Sequence, residues 1–204
     1  MGDVSPAGRL PTSIYAAAFA DTREITDMEM RPHGATPGVT YRFLNATDPM
    51  LLYSFGYGMT YSSFAVTAGA PLELSTTTDA LFAQWAAYYA GDTSGLPTVN
   101  VTVTNTGSTH TSDFSVLGFA RSSLQGAPVR QLFGFERLAS LLPGGHADVE
   151  LFVPPQALAQ VDATGTQYLV PGTWELDVGG EPDGFATFVL TVTGSPRLVF
   201  SLFD

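Results

Sequence analysis

The fold class that this sequence predicts is mainly β, with an antiparallel β-sandwich forming the larger part of the chain. Three observations indicate it. After Leu96, apolar residues recur at every second position, as they do in half-buried strands. Five or six short strand patterns then follow one another, and Pro-Gly turns separate them. Helical patterns are nearly absent from that part of the sequence.

Composition sets the outer limits on what the chain can do. With 45% hydrophobic and 12% aromatic residues, its 204 residues are ample for a packed core and exclude disorder of the whole. The net charge is −11 and all eight basic residues are arginines, so phosphate backbones and anionic lipids are repelled. We therefore expect no nucleic-acid partner and no membrane partner. The absence of cysteine excludes disulfides and thiolate metal sites but leaves the compartment undecided.

The leading segment, residues 1–62, is unlike the rest of the chain. Its patterns predict only short strands, near Thr12–Tyr15 and Val39–Phe43. A segment of about 60 residues with so little apolar pattern is marginal as an independent domain, so it needs a partner surface. Prolines interrupt it too often for long helices: Pro6, Pro11, Pro32, Pro37 and Pro49.

The sandwich is predicted for residues 63–204, with a first strand at Phe64–Leu74 and a helical or loop insertion at about 76–95. Within the insertion, Asp79 is placed to cap a short helix that Gly91 ends. Three apolar residues at helical spacing would form the buried stripe of that helix: Leu81, Trp85 and Tyr88.

The strands of the sandwich are read from the alternation that starts after Leu96. The valines of Val99–Val103 alternate with polar residues, and Asn105-Thr106-Gly107 forms a turn. Pro155–Gln160 is predicted as a single helical turn, and Trp174 as a core residue because it alternates with other apolar residues. The remaining predicted strands are Phe114–Arg121, Arg130–Arg137, Ala147–Val153, Thr173–Val178 and Ala186–Val192.

A stretch rich in glycine and aromatic residues, Leu51–Phe64, joins the two parts. Its sequence, LLYSFGYGMTYSSF, resembles the Phe-Gly-x-Gly-Leu-Ser-Tyr-x-x-Phe signature of family-3 glycoside hydrolases, with Met59 in place of the usual Leu. In that family the signature closes an α/β sandwich domain and leads into a fibronectin type III-like domain. The resemblance therefore implies structural roles for Gly56, Gly58 and Tyr61.

Further motifs in the family's order extend the resemblance over most of the chain. Residues 2–11, GDVSPAGRLP, resemble the Gly-Asp-x-x-Pro-x-Gly-Arg-Leu-Pro motif late in the α/β sandwich. Residues 27–43 resemble a Met-Arg-Pro … Pro-Gly-x-Thr-Tyr-Arg-Phe run that is typical of the β-xylosidase and arabinofuranosidase branch. Downstream, residues 103–107, 134–137, 142–144 and 171–179 track the fibronectin-like domain. They imply structural motif roles for Gly134, Phe135, Pro143, Gly144, Pro171 and Gly172.

The resemblance implies a fold and a parent activity. The fold would be an immunoglobulin or fibronectin III-like antiparallel sandwich over residues 63–204, preceded over residues 1–62 by an incomplete C-terminal piece of an α/β sandwich domain. The parent enzyme would hydrolyse O-glycosyl bonds of β-xylosides, or of arabinofuranosides or β-glucosides, without a cofactor. The expected partner is the remainder of that hydrolase, or a separately encoded equivalent, and polysaccharide is a second candidate. The parent family is often secreted, whereas this sequence opens with no signal-peptide pattern.

No catalytic residue is expected in this chain. The family's nucleophile is an aspartate in an N-terminal barrel, and its general acid/base also precedes the Gly-Arg-Leu-Pro motif. Asp113, followed by an aromatic residue, imitates the nucleophile pattern but lies far downstream, so it is predicted as a turn or strand-edge carboxylate. Retaining hydrolysis needs two carboxyls about 5–5.5 Å apart, one with a raised pKa. The one local cluster, Glu24, Asp27 and Glu29, is predicted as a solvated face.

Other kinds of site are weakly supported. His33, His110 and His146 are isolated in the sequence, so no metal site is expected. No dinucleotide loop or serine-nucleophile elbow is present, so no cofactor is expected. Asn45 and Asn100 each begin an Asn-x-Thr sequence and are candidates for N-glycosylation. The alternative function is a free-standing fibronectin III-like module that binds polysaccharide or a protein partner.

Overall fold

The computed structural model describes residues 4–200, and two facing β-sheets form most of this part. The smaller sheet has the order β3-β5-β8, with β3 at Phe64–Ala68, β5 at Thr98–Asn105 and β8 at His146–Phe152. The larger sheet has the order β4-β12-β11-β6-β7, with β4 at Glu73–Thr77, β6 at Ser112–Ser122, β7 at Gln131–Leu141, β11 at Gly172–Gly180 and β12 at Gly184–Thr193. Neighbouring strands pair antiparallel, except that β4 runs parallel to β12. The arrangement is the predicted sandwich.

The hydrophobic core lies between the two sheets. In β5, Val99, Val101 and Val103 are each no more than 2% exposed, so this strand alternates as the sequence predicted. Trp174 of β11 is 2% exposed and belongs to the same cluster, which confirms its predicted core position. Burying an aliphatic or aromatic side chain contributes about 1.5–3 kcal/mol, so this sandwich can stabilise itself.

The first strand, predicted over Phe64–Leu74, is confirmed for Phe64–Ala68 and wrong beyond Ala68. The chain leaves the smaller sheet after Ala68 and joins the larger sheet as β4. Gly69 donates its backbone N–H to the Asn100 carbonyl at 2.7 Å, which is the last bond to β5 on this side. Pro71 has no N–H to donate, so a continuous ladder is interrupted at that position.

The predicted insertion contains one helix, α2, at Thr78–Tyr89. Its N-cap is Thr77, whose hydroxyl accepts from the Ala80 N–H at 3.1 Å, so the prediction that Asp79 caps the helix is wrong. Asp79 instead forms an ion pair with Arg197. Of the predicted stripe, Leu81 is buried in the core, whereas Trp85 and Tyr88 are half-buried.

A third, small sheet packs against α2. It has the order β13-β10-β9, with β9 at Ala159–Val161, β10 at Gln167–Leu169 and β13 at Arg197–Phe200. The sequence did not reveal these strands, because three or four residues are too few to show an alternation. The single turn predicted at Pro155–Gln160 is present as α3, at Pro155–Leu158.

The leading segment contains little regular structure. β1, at Ile14–Tyr15, pairs with β2, at Leu51–Tyr53, and between them lie a 3-10 helix at Ala17–Thr22 and α1 at Thr40–Phe43. The prediction of a strand at Val39–Phe43 is therefore wrong. The Tyr15 hydroxyl accepts from the Thr40 N–H at 2.7 Å and Thr40 has a φ of +60°, which is outside the strand region.

The predicted domain boundary, between residues 62 and 63, lies just before β3 and stays a prediction. Across residues 4–200, no helix combines the length and the apolar character that crossing a membrane requires.

Candidate functional site: the seam between the leading segment and the sandwich

The seam is the contact surface between residues 4–62 and the outer face of the larger sheet. Ser115, Leu117 and Phe119 of β6 point outward from the sandwich. Ser115 donates to the Ala7 carbonyl at 3.3 Å, and the Phe119 ring lies 6.1 Å from the Phe55 ring. The leading segment was predicted to need a partner surface, and the outer face of the larger sheet supplies part of that surface.

Gly56 approaches the sandwich more closely than any residue with a side chain could. Its φ is +83°, and a Cβ there would lie 2.5 Å from Cδ1 of Leu117. The Gly56 N–H donates to the Leu10 carbonyl at 2.9 Å, and the Leu10 N–H donates to the Tyr57 carbonyl at 2.9 Å. Two motifs that are far apart in the sequence, Gly-Arg-Leu-Pro and Phe-Gly-x-Gly, are therefore joined by backbone hydrogen bonds. Glycine is required here on both conformational and steric grounds.

Arg9 occupies a slot whose walls are Gly58 and Gly180. A Cβ on Gly58 would lie 2.9 Å from both Cδ and Nη1 of Arg9, and a Cβ on Gly180 would overlap the guanidinium. Arg9 donates to the Glu181 carbonyl, and its Cζ lies 4.9 Å from the centroid of the Phe114 ring. Burial lowers the pKa of Arg9, while the charges of Asp183 and Glu181 act in the opposite direction. Gly58, the second glycine of the motif, leaves the space that the side chain of Arg9 occupies beside the Phe114 ring.

Two carboxylates in the turn between β11 and β12 hold the chain on either side of the motif. Ser54 donates its hydroxyl to Oε2 of Glu181 at 2.5 Å. The Phe64 N–H donates to Oδ1 of Asp183 at 2.9 Å. Glu181 and Asp183 therefore act as positioning groups for the seam.

A cluster of aromatic rings closes the other end of the seam. Tyr41 stacks on Phe55 at 4.3 Å, and both rings form T-shaped pairs with Phe119, at 6.0 and 6.1 Å. Arg130 lies over the Phe119 ring at 4.6 Å and donates to the Phe55 carbonyl at 3.4 Å. Burial lowers the pKa of Arg130, and the charge of Glu181 is the largest effect that opposes it. These rings pack against one another and so join the leading segment to the sandwich.

Tyr61 contributes to the seam through its backbone. Its N–H donates to the Ser5 hydroxyl at 3.0 Å, while its ring is 54% exposed. The Ser5 hydroxyl also bonds to those of Thr60, at 3.2 Å, and Ser112, at 2.8 Å. This network joins the end of the motif to the start of β6.

Asn105 is a structural residue that the sequence indicated only as part of a turn. It is fully buried, and its Nδ2 donates to the carbonyls of Leu141 and His110 at 2.9 and 3.0 Å. Its Oδ1 accepts from the Ser62 hydroxyl at 2.5 Å and from the Gly107 N–H at 3.0 Å. One side chain thus ties together the end of β5, the end of β7 and the seam. Its place in the Val-Thr-Asn-Thr-Gly motif was the signal that could have revealed it.

The other motif residues lie away from the seam or at its rim. Phe135 is 72% exposed and lies opposite Leu117 in the β6–β7 pair, whereas Phe133, the residue just before this motif, enters the core. A Cβ on Gly134 would lie 3.6 Å from Leu151, an ordinary contact. Two of the motif residues lie in a turn: Pro143 is exposed, and Gly144 has a φ of +74°. Two others lie at the start of β11, where Pro171 precedes the first residue, Gly172.

The candidate carboxylates are engaged in structural hydrogen bonds. Asp113 accepts from the Ser140 N–H at 2.8 Å and from Arg137 at 2.5 Å, and these bonds hold its pKa below the usual value. Asp27 has its pKa lowered first by the Glu29 N–H and then by neighbouring cations. A general acid needs a raised pKa, so neither group has the character of one.

The sequence predicted that His33 is isolated, and this is wrong. The chain folds back and places His33 beside Asp27. Its Nε2 lies 2.9 Å from Oδ2 of Asp27, and its Nδ1 lies 2.8 Å from the Arg31 carbonyl. Within the described part of the chain, residues 4–200, no three His, Asp or Glu side chains are grouped so as to hold a metal ion.

Comparison with known proteins agrees with this architecture. The family described as the fibronectin type III-like domain matches residues 117–181. The probable exo-1,4-beta-xylosidase xlnD of Aspergillus fumigatus is 34% identical over 204 residues, which cover 98% of this chain and 25% of that protein. The exo-1,4-beta-xylosidase xlnD of Aspergillus oryzae is 31% identical over 206 residues, with the same coverage of 98% and 25%.

Solved structures match over the whole chain. A GH3 exo-beta-xylosidase (XlnD), solved in complex with a xylobiose aziridine activity based probe, superposes with a TM-score of 0.86 at 27% identity, over 100% of this chain and 26% of that one. A beta-glucosidase from Paenibacillus barengoltzii shares the fold, with a TM-score of 0.68 at 24% identity over 100% of this chain and 22% of that one.

The chain spans about a quarter of the length of the curated relatives that it matches, so it corresponds to one part of a larger hydrolase. Sequence likeness over nearly the whole chain, the matching fold and the ordered motifs agree on the family. The chain belongs to the family-3 glycoside hydrolases and corresponds to their C-terminal part, including the fibronectin type III-like domain.

Proposed function

We propose that this chain is the structural C-terminal part of an exo-β-xylosidase, in which it supports the domains that hydrolyse terminal β-xylosidic bonds. The names of the sequence relatives support the xylosidase assignment, as does the run at residues 27–43. The observation that carries the proposal is the seam. Arg9 and Arg130, both half-buried against aromatic rings, hold the leading segment on the sandwich in a defined orientation.

The surface of the leading segment also supports a docking role. The ribbon of β1 and β2 has only two strands, and two-stranded sheets are marginal in water. Ile14, Leu52 and Tyr53 of this ribbon are 38%, 59% and 47% exposed. In the whole hydrolase this apolar ribbon would pack on the preceding domain, while the seam holds the same segment on the sandwich. The chain would thereby connect the preceding domain to the sandwich.

The chemistry of hydrolysis belongs to the preceding domains in this proposal. The family's nucleophile and acid/base motifs have no match in this sequence, and Asp27 and Asp113 both have lowered pKa values. The chain alone should therefore hold its shape and bind no sugar productively.

An aryl β-xyloside tests the proposal directly. The purified chain should release no aryl alcohol above the uncatalysed rate, with a complete exo-1,4-beta-xylosidase as the positive control. Turnover that follows the chain through purification, and that is lost in Asp27→Asn or Asp113→Asn, would overturn it.

A second candidate, a module that binds polysaccharide, is favoured by one observation. The outward side of α2 carries Phe82, 46% exposed, and Tyr89, 73% exposed. Aromatic faces suit sugar rings because one side chain presents a large apolar surface. Electrophoresis in gels containing xylan decides between the candidates. If xylan retards the chain, and the Phe82→Ala, Tyr89→Ala double variant is no longer retarded, the result would favour the binding module. Equal migration of the chain with and without xylan would favour the structural role.

A further inference from the structure

The two Asn-x-Thr sequences of this chain have different local structures. Asn45 follows Leu44 directly after α1 and is exposed. Its Oδ1 accepts from both the N–H and the hydroxyl of Thr47, each at 3.1 Å. The Asp48 N–H donates to the Asn45 carbonyl at 3.0 Å, so the turn closes within four residues. In the part of the chain described by the structure, no hydrogen bond engages Nδ2 of Asn45.

Asn100 lies in the middle strand of the smaller sheet. Its backbone is opposite Glu150 of β8, and its carbonyl accepts from the Gly69 N–H at 2.7 Å. The hydroxyl of its sequence partner, Thr102, donates to Oδ1 of Asp148 at 2.6 Å. The Thr102 hydroxyl therefore donates to a neighbouring strand rather than to the Asn100 amide.

The contact between amide and hydroxyl matters for sugar transfer. A hydroxyl that donates to Oδ1 draws electron density from the amide and makes the Nδ2 protons more acidic. Nδ2 can then lose a proton as it attacks a sugar carbon. Asn45 and Thr47 have this arrangement, and Nδ2 points to no competing acceptor among the described residues.

The arrangement at Asn45 does not depend on the rest of the fold. All three of its hydrogen bonds lie between residues 45 and 48, and asparagine forms such turns in short segments. It is therefore available while the chain is still being made. The β-branched residues around Asn100 favour β conformation over turns, because branching at Cβ restricts χ1.

We propose that Asn45 accepts an N-linked oligosaccharide when this chain passes through a eukaryotic secretory pathway, and that Asn100 does not. The donor is an oligosaccharide carried on a lipid pyrophosphate. A bond forms between Nδ2 of Asn45 and the anomeric carbon, and the bond from that carbon to the pyrophosphate oxygen breaks. The lipid pyrophosphate leaves with the electron pair, and one Nδ2 proton passes to a base of the transferring enzyme. No oxidation or reduction takes place.

The fold tolerates a large group at this position. Leu44, the preceding residue, is buried, and the Arg42 carbonyl accepts from the Val129 N–H at 2.6 Å, so the base of the turn is anchored to the sandwich. Asn45 and the two residues after it point to solvent. An oligosaccharide on Asn45 would show that the preceding domain of the hydrolase does not cover this side of the leading segment.

Secretion of the full chain from yeast behind a cleavable leader tests the proposal. The intact mass, measured before and after an endoglycosidase, should show one oligosaccharide. Asn45→Gln and Thr47→Val should abolish it, whereas Thr47→Ser, which keeps a hydroxyl, and Asn100→Gln should retain it. Peptide mapping after enzymatic deglycosylation should find the resulting aspartate at position 45.

Three results would overturn the proposal: a secreted chain without sugar, a chain with two sugars, or a sugar that persists in Asn45→Gln. Asn45, Thr47 and Asn100 are exposed, so their variants should be secreted at wild-type levels. Far-UV circular dichroism of each secreted variant checks that the fold is intact. Thr102→Val serves as the matched control for Thr47→Val, and it should leave the sugar in place.

Discussion

Gly58 is the position at which the seam can be tested most sharply. In Gly58→Ala the new Cβ would meet Cδ and Nη1 of Arg9 and the carbonyl oxygen of Gly8, all at 2.9 Å. The arginine could shift, but the Gly8 carbonyl belongs to the backbone, and Gly180 blocks the far side of the slot. Overpacking of this kind costs about 1–3 kcal/mol. For a chain of this size each kcal/mol lowers the midpoint of thermal unfolding by roughly 2–4 °C.

Gly134→Ala is the matched control, because it makes the same chemical change at another motif glycine. Its Cβ would lie 3.6 Å from the Leu151 side chain, so it should be neutral or stabilising by up to about 1 kcal/mol. Urea unfolding of both variants measures the difference in free energy. Hydrogen exchange at the Leu10 and Gly56 amides, which bridge the seam, should accelerate in Gly58→Ala alone. Equal stability of Gly58→Ala and the wild type, with unchanged exchange at both amides, would refute the packing argument.

The remaining predictions concern the core, the buried asparagine and one ion pair. Asn105→Ala should cost about 3 kcal/mol or more in urea unfolding, because it leaves several buried partners without hydrogen bonds at about 1–3 kcal/mol each. A loss below about 1 kcal/mol would contradict the buried network. Phe133→Ala should cost about 3–5 kcal/mol, whereas Phe135→Ala should stay within about 0.5 kcal/mol because its ring is 72% exposed; the reverse order would mean that the strand register is wrong. The pKa of His33 is raised, first by its bond to the Arg31 carbonyl and also by Asp27, so its contribution to stability is present below about pH 6.5 and fades as the pH rises through the folded pKa. The lowered pKa of Asp27 makes its contribution present above about pH 4 and lost as the pH falls through its folded pKa. An NMR titration of His33 should therefore give a pKa above the peptide value that falls in Asp27→Asn; an unshifted titration would contradict the pairing.

Part of the candidate site was accessible from the sequence. The motif resemblance implied structural roles for Gly56 and Gly58, and each of them lies where the backbone passes close to another segment. The partners of these residues were not accessible. Arg9 contacts Gly180 and Glu181, and 172 positions separate Arg9 from Glu181 in the sequence. No local sequence pattern encodes a contact between residues so far apart. The same limit concealed the bonds of Asn105 to Leu141.

The sequence by itself determined the features that repeat over short distances. The period of two in β5, the turns at Gly and Pro, and the inward position of Trp174 follow from local sterics and from the alternation of side chains along a strand. The ordered motifs alone indicate the family to which the chain belongs.

Tertiary structure alone decided how these elements meet. Thr40 turns into α1 rather than extending because the Tyr15 hydroxyl binds its N–H, and the chain after Ala68 changes sheets because β12 offers β4 a parallel edge. The two arginines of the seam become half-buried because glycines and aromatic rings from distant segments converge on them. Such contacts arise from packing in three dimensions, where close neighbours in space are distant in sequence.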